Sequence, residues 1–236
     1  MNKWKYIDSG PNIATHNMAV DEELLARAQA GVNVPVLRLY SWDPPAVSLG
    51  RFQKIGTAVD VGACKRLGFD IVRRVTGGRA VLHLHELTYS IVAPLDNPQF
   101  PPSVLGTYKV IAGGLLAGLR NLGIAAEIVS RSGRHAGLVK DNTKGPSCFS
   151  SPSWYEIVIN GKKIVGSAQR RMPHAFLQHG SILISYDPEL EALVIPGGGA
   201  SSCITSIQKE MGRTVSHEEV KLAFRLGFQS AFDVLL

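Results

Sequence analysis

Apolar positions along the chain recur at two periods, and their interleaving predicts a fold of mixed helices and strands. Over 15–30, Met18, Leu25 and Ala28 share one side behind the polar starters Thr15 and Asn17, the spacing of an amphipathic helix. VLRLYSW (36–42) and AVSLGRF (46–52) then read as strands parted by the turn signal Asp43-Pro44-Pro45. A short helix over 58–67 carries Cys64 and ends at Gly68, a usual helix-stop residue. Ile111, Leu115, Leu119 and Leu122 mark a helix over 103–121. Its Gly113-Gly114 pair costs about 1 kcal/mol per glycine against alanine, which predicts a close approach of this helix to a sheet. The last helix opens at 217 behind Ser216-His217-Glu218-Glu219, a capping-box pattern, and turns Val220, Ala223, Leu226 and Ala231 to a core.

Between the helices, LTYSIVA (87–93), SWYEIVIN (153–160), KKIVGSA (162–168) and SILISYD (181–187) read as strands. Asn160-Gly161 between β-branched runs is a type I′ hairpin signal, pairing Ile159 with Lys162 and Val158 with Lys163. Alternating faces send the two lysines to opposite sides of the sheet. If one face is packed, one ammonium points inward and must be paired or serve chemistry; if both are wet, this is an edge hairpin. No repeat or linker divides the sequence, so the expectation is one domain over 1–236, α/β with a mixed sheet flanked by helices.

Composition narrows the classes. Hydrophobic residues are 45% and charged residues 19%, enough to bury a sizeable core. A net charge of +6 suits an acidic partner or a merely basic protein, and without a dense Lys/Arg run no nucleic acid is expected. Cys64, Cys148 and Cys203 have neither disulfide-framework nor zinc spacing, so no metal is expected. The longest apolar stretch, 110–119, is half of the ~20 residues needed to span a bilayer. A cytoplasmic protein without a membrane partner is the expectation. Neither a Rossmann glycine fingerprint nor a P-loop is present.

Four segments could carry chemistry. RRVTGGRAVLH (73–83) runs a strand into Gly77-Gly78, which serves either a plain turn or backbone N–H groups presented to an oxygen. The segment 131–154 is long, rich in Gly, Ser and Pro, and holds Cys148. There, with Lys140, Lys144 or Lys163 near, a thiol could be a nucleophile, or it could be an inert free cysteine. The hairpin 156–171 holds Lys162 and Lys163, followed by the small residues Gly166-Ser167-Ala168. In FLQHGSILIS (176–185) His179 precedes Gly180 at an expected strand start, as a base or a hydrogen-bonding strut; the same choice applies to His83 and His85.

These strings, with ELTYS (86–90), SCFSSPSWYEI (147–157), NGKKIVGSAQRR (160–171) and NMAVDEELL (17–25), resemble the lipoate/octanoate transferase and ligase family. The resemblance spans almost the whole chain. It implies the catalytic fold shared with biotin protein ligases, a largely antiparallel sheet in an α+β arrangement. A cysteine in SCFSSPSW places the chain nearest the family's octanoyltransferases. Such enzymes take octanoate from acyl-carrier protein and load it onto a lipoyl-carrier protein, the glycine-cleavage H protein or an E2 lipoyl domain. The resemblance makes Cys148 the nucleophile and Lys163 the site lysine, with Arg73, Gly77, Gly78, Arg79 and His83 in the acyl-binding loop. Gly166, Ser167 and His179 join them as substrate contacts. Val75, Val81, Leu82 and Val165 are candidates for an apolar acyl tube. No resident cofactor and a monomer are implied. ATP would enter only if the chain were a lipoate–protein ligase, and a carrier-to-carrier amidotransferase is a further alternative.

Overall fold

The computed structural model describes residues 2–129, 156–199 and 201–236. In chain order the elements are β1 (Asn2–Lys3), β2 (Lys5–Asn12), α1 (Ala14–Gln29), β3 (Val36–Trp42), β4 (Ala46–Leu49), α2 (Ile55–Ala58), α3 (Val61–Leu67), β5 (Asp70–Arg73), β6 (Val81–His83), β7 (Glu86–Pro94) and α4 (Val104–Asn121). Then come β8 (Glu127–Ile128), β9 (Ile157–Ile159), β10 (Lys162–Arg171), β11 (Ala175–Leu183), α5 (Pro188–Val194), α6 (Ile207–Met211), α7 (His217–Phe232) and β12 (Val234–Leu235).

A seven-stranded sheet runs β2-β3-β7-β11-β10-β9-β8, antiparallel except for the parallel pair β2–β3. A three-stranded sheet, β5-β4-β6, lies apart from it. The mixed sheet flanked by helices is the expected fold class. The strand expected over 46–52 is shorter than its sequence suggested, and it belongs to the small sheet.

Side-chain alternation sorts the large sheet into two faces. Leu37, Leu39, Leu87, Tyr89 and Ile91 point into the main core with Ile111, Leu115 and Leu119 of α4 and Phe224 and Phe228 of α7. On the opposite face, Val92 and Leu177 pack on Leu25 and Ala28 of α1. Arg38, Tyr40, Ser90 and His179 share that second face and are buried. A polar set on a covered face is where chemistry should be sought, because each buried polar group needs a partner.

Several expectations change in detail. Gly113-Gly114 does not serve a sheet approach: Gly113 faces open space, while Gly114 and Gly118 meet Phe228 and Phe224 of α7. A Cβ on Gly227 would lie 2.7 Å from Gly118 Cα, so α4 and α7 touch backbone to backbone. On α7, Leu226 and Ala231 face outward, and Phe224, Phe228 and Phe232 take their place in the core. The helix expected over 58–67 is shorter, Val61–Leu67, preceded by the separate α2; it is capped by the Asp60 carboxylate on Ala63 N and closed by Gly68 at φ 71°. The first helix starts at Ala14, whose N–H donates to Asp70 Oδ2, and Asn17 lies inside it, buried. The strand placed at 181–187 runs from Ala175 to Leu183 instead, so His179 sits mid-strand. Its residues are buried almost throughout, and such a strand has no alternation to reveal where it begins.

The hairpin has the predicted form. Asn160 and Gly161 take φ 48° and 77°, and Lys162 pairs with Ile159 and Lys163 with Val158. Lys163 is 1% exposed and Lys162 is half-buried, so Lys163 is the inward lysine.

Candidate functional site

Where β4 and β6 of the small sheet face β3, β7 and β11 of the large one, a cavity opens with a volume of about 350 Å³ including its mouth. Met18 of α1, Tyr40, Trp42 and Val81 supply an apolar wall. Gly166, Ser167 and Gly180 supply a wall made mostly of backbone. In the β10–β11 ladder Ser167 stands opposite Gly180. A Cβ on Gly180 would lie 2.8 Å from Ser167 Oγ and 2.8 Å from the Tyr89 ring. Gly180 stands opposite Tyr89 in the β7–β11 ladder, so that Cβ would enter the main-core face behind the cavity rather than the cavity itself.

Two carboxylate–histidine pairs back the cavity. Asp21 Oδ2 lies 3.0 Å from His179 Nδ1 and accepts from Tyr40 Oη at 3.0 Å. Its Oδ1 accepts from Arg38 Nη1 at 2.8 Å and Ser90 Oγ at 2.9 Å. Burial pushes the Asp21 carboxyl up, but His179 and then Arg38 outweigh it and hold the group below its ordinary range. His179 Nε2 lies 2.7 Å from Thr76 Oγ1, so this pair reaches the loop before Gly77-Gly78. The second pair is Glu86 and His83, with Oε1 to Nδ1 at 2.8 Å. Burial again pushes the carboxyl up, and the His83 ring beside it prevails and lowers it. His83 Nε2 lies 2.7 Å from Ser48 Oγ, and Trp42 stacks on the imidazole with centroids 3.9 Å apart.

Arg74 brings a guanidinium to the cavity. Its Nη1 donates to Ser48 O and Oγ, and its Nη2 to the carbonyls of Gly77 and Arg79 at 2.9 and 2.6 Å. The loop 76–79 is therefore folded around a buried arginine, with Gly78 at φ 92°. A side chain at Gly50 would fall on the Gly78 carbonyl, so the loop packs backbone to backbone on the turn after β4.

The structure brings His83, His179, Gly166 and Ser167 together at the cavity. Gly77, Gly78 and Arg79 are not among its lining residues; the Gly77 and Arg79 carbonyls accept from Arg74, which is. Arg73 is elsewhere: it is exposed, and its Nη1 donates to the carbonyls of Gly50, Arg51 and Gln53. Arg74 occupies the place that the sequence reading gave to Arg73, because β5 ends at Arg73 and the next residue turns inward. Lys163 does not line the cavity; its Nζ donates to Glu156 Oε1 at 2.6 Å. Cys148, Lys140 and Lys144 lie outside the described residues. Of the acyl-tube candidates, Val81 lines the cavity; Leu82 and Val165 belong to the small-sheet and main cores, and Val75 packs near Leu25. Asp21, Arg38, Arg74, Trp42 and Met18 were not singled out from sequence. One signal existed for the first two: Arg38 inside an otherwise apolar strand needs a buried carboxylate. Among the described residues no cluster could hold a metal ion, and no helix is long and apolar enough to cross a membrane.

Comparison with known proteins gives a consistent family. Residues 14–229 match the lipoyl protein ligase A/B catalytic domain. The octanoyltransferase LipM of Brevibacillus brevis is 41% identical over 247 residues, covering 100% of this chain and 89% of the relative. That of Kyrpidia tusciae is 42% identical over 248 residues, with the same coverage. Among solved structures, a lipoate-protein ligase A bound with ATP superposes with a TM-score of 0.79 at 25% identity, covering 99% of this chain and 87% of that one. The lipoate protein ligase Ta0514 of T. acidophilum with bound lipoic acid has the same fold, at a TM-score of 0.75 and 24% identity, covering 99% and 87%.

Proposed function

The chain belongs to the lipoyl protein ligase A/B catalytic-domain family, and from that premise we propose that it is an octanoyltransferase serving lipoate biosynthesis. It takes the octanoyl group from acyl-carrier protein and forms an amide with a lysine of a lipoyl-carrier protein, the glycine-cleavage H protein or an E2 lipoyl domain. The observation that carries the reading is the cavity: apolar at Met18, Tyr40, Trp42 and Val81, and bounded opposite by the small residues Gly166 and Ala168. That shape suits a saturated chain, whose methylenes each gain about 0.8 kcal/mol on burial.

In this reading the Cys148 thiolate attacks the donor thioester carbonyl, the carrier thiolate departs, and the octanoyl group rests on Cys148. The acceptor lysine amine then attacks that thioester; the Cys148 sulfur leaves and the amine gives up a proton. Splitting the transfer lets each step use one good leaving thiolate. Lys163 supplies an ammonium, oriented by Glu156, to the oxyanion of each tetrahedral intermediate. Gly77 and Gly78 N–H groups are further donors. His179, braced by Asp21, and Arg74 hold the loop that presents them.

Intact mass after mixing the protein with octanoyl-acyl-carrier protein, without ATP, tests this. A gain of one octanoyl unit, removed by hydroxylamine, is expected. Modification only with free octanoate or lipoate plus ATP would make the chain a ligase. Transfer only from an already octanoylated or lipoylated carrier protein would make it an amidotransferase.

A further inference from the structure

Phe52 is 84% exposed, far more than any other aromatic side chain among the described residues. An exposed ring on a loose loop would mean little, but this turn is held tightly. Gln53 N donates to Gly50 O, Gly50 N donates to Gln53 Oε1, and Arg73 donates to the carbonyls of Gly50, Arg51 and Gln53 at 2.9, 3.1 and 2.7 Å. The Arg51 guanidinium stands 5.5 Å over the ring. An arginine used as a triple brace fixes the backbone beneath a phenylalanine that stays in water, where it gains nothing from burial. The fixed backbone spares a binding partner part of the ordering cost.

Charge says what kind of partner fits. From Pro44 to Val59 the chain carries the cations Arg51 and Lys54 and no carboxylate, and the whole protein is at +6. Ile55 beside them is 47% exposed. An aromatic and an aliphatic side chain within a positive rim match an acidic protein surface with an apolar spot. Position says which partner. Arg51 N donates to Thr76 O at 2.8 Å, and the Gly50–Gly78 packing fuses the turn to the loop held by Arg74, a residue of the cavity wall. A lysine reaches inward on a stem of only about four carbons, so its domain must sit at the rim. An acyl group on a long carrier arm has no such need.

We propose that the turn 50–55, with Phe52 at its tip, is the docking edge for the acidic carrier domain that offers the acceptor lysine. This rests on the octanoyltransferase reading for the identity of the partner. Docking there presses on the backbone that shapes the Thr76–Gly78 loop, so the acceptor is sensed at the loop that contacts His179 and Arg74 of the cavity wall.

The test compares the full chain with Phe52→Ala and with Arg51→Glu/Lys54→Glu, using a glycine-cleavage H protein of net negative charge. Calorimetric affinity for that protein and octanoyl transfer from octanoyl-acyl-carrier protein are both measured. Phe52→Ala should raise Kd and acceptor KM about tenfold or more, leaving donor KM and thermal stability unchanged. The charge-reversed variant should weaken binding and flatten its salt dependence. Acceptor Kd and KM within twofold of wild type in Phe52→Ala would overturn the proposal. A rise in donor KM instead would assign the turn to the donor and overturn it too. Phe52-dependent binding without octanoyl transfer by wild type would sink the octanoyltransferase reading and keep the docking edge. Normal transfer by wild type with Phe52→Ala unaffected would do the reverse.

Discussion

Lys163→Met separates a structural lysine from a chemical one. Lys163 is buried with Nζ 2.6 Å from Glu156 Oε1, so removing the ammonium alone leaves a buried carboxylate without that partner. Breaking a buried pair from one side costs about 3–5 kcal/mol, while neutralising both members together is often nearly neutral. At ~2–4 °C per kcal/mol for a chain of this size, Lys163→Met should lower Tm by roughly 6–20 °C. Lys163→Met/Glu156→Gln should recover most of that loss. Transfer should behave differently: an ammonium that stabilises an oxyanion is worth about a hundredfold or more in rate, and the second substitution does not replace it. Urea unfolding and mass-detected octanoyl transfer, run on both variants and on the half-buried neighbour Lys162→Met, give the comparison. Lys162→Met should stay within about 0.5 kcal/mol and keep its rate. Activity that returns with stability in the double variant would refute the chemical role and leave Lys163 as a fold-holding pair.

Cys148→Ala should gain no octanoyl mass, whereas Cys64→Ser and Cys203→Ser should label as wild type does; a labelled alanine variant excludes Cys148 as the nucleophile. In the α4–α7 contact, Gly227→Ala should cost about 1–3 kcal/mol because its methyl meets Gly118 backbone. Gly113→Ala, facing open space, should stabilise by up to about 1 kcal/mol; urea midpoints decide, and equal shifts would contradict the helix contact. Asp21 is held below its ordinary range, so its contribution is complete above about pH 4 and is lost as pH falls from there. Unfolding free energy below pH 4 should therefore fall more steeply in wild type than in Asp21→Asn, and parallel curves would mean that the His179 and Arg38 contacts do not act on that carboxyl.

What could be read from the sequence was what local chemistry decides. Asn160-Gly161 specifies its own turn and register, and from these it follows that Lys162 and Lys163 take opposite faces; burial shows that Lys163 is the inward one. Ser216 caps the last helix by accepting from Glu219 N, as the pattern said it would. What escaped depends on contacts between distant segments. Asp21 looks like one more acid on a polar helix until Arg38 and His179 arrive beside it. Whether Arg73 or Arg74 turns inward depends on the residue at which β5 stops, and the repeated arginine does not mark it. The glycines of α4 announced a close approach but not its partner, because a missing side chain is equally suited to a strand or a helix. β2 has little apolar alternation and a bulge near Gly10, so its parallel pairing with β3 left no periodic trace.

The small-residue wall of β10 makes the breadth of accepted acyl groups adjustable in one direction only. Gly166 has nothing left to remove, and Ala168 only a methyl. A lineage or a laboratory selecting for bulkier acyl donors gains little room from β10. New space has to be carved from Met18, Tyr40, Trp42 or Val81 across the cavity. Of these, Trp42 is committed to stacking on His83 and Tyr40 to holding Asp21. Met18 and Val81 are thus, among the large apolar side chains described there, the positions from which substrate range can widen without loosening a histidine.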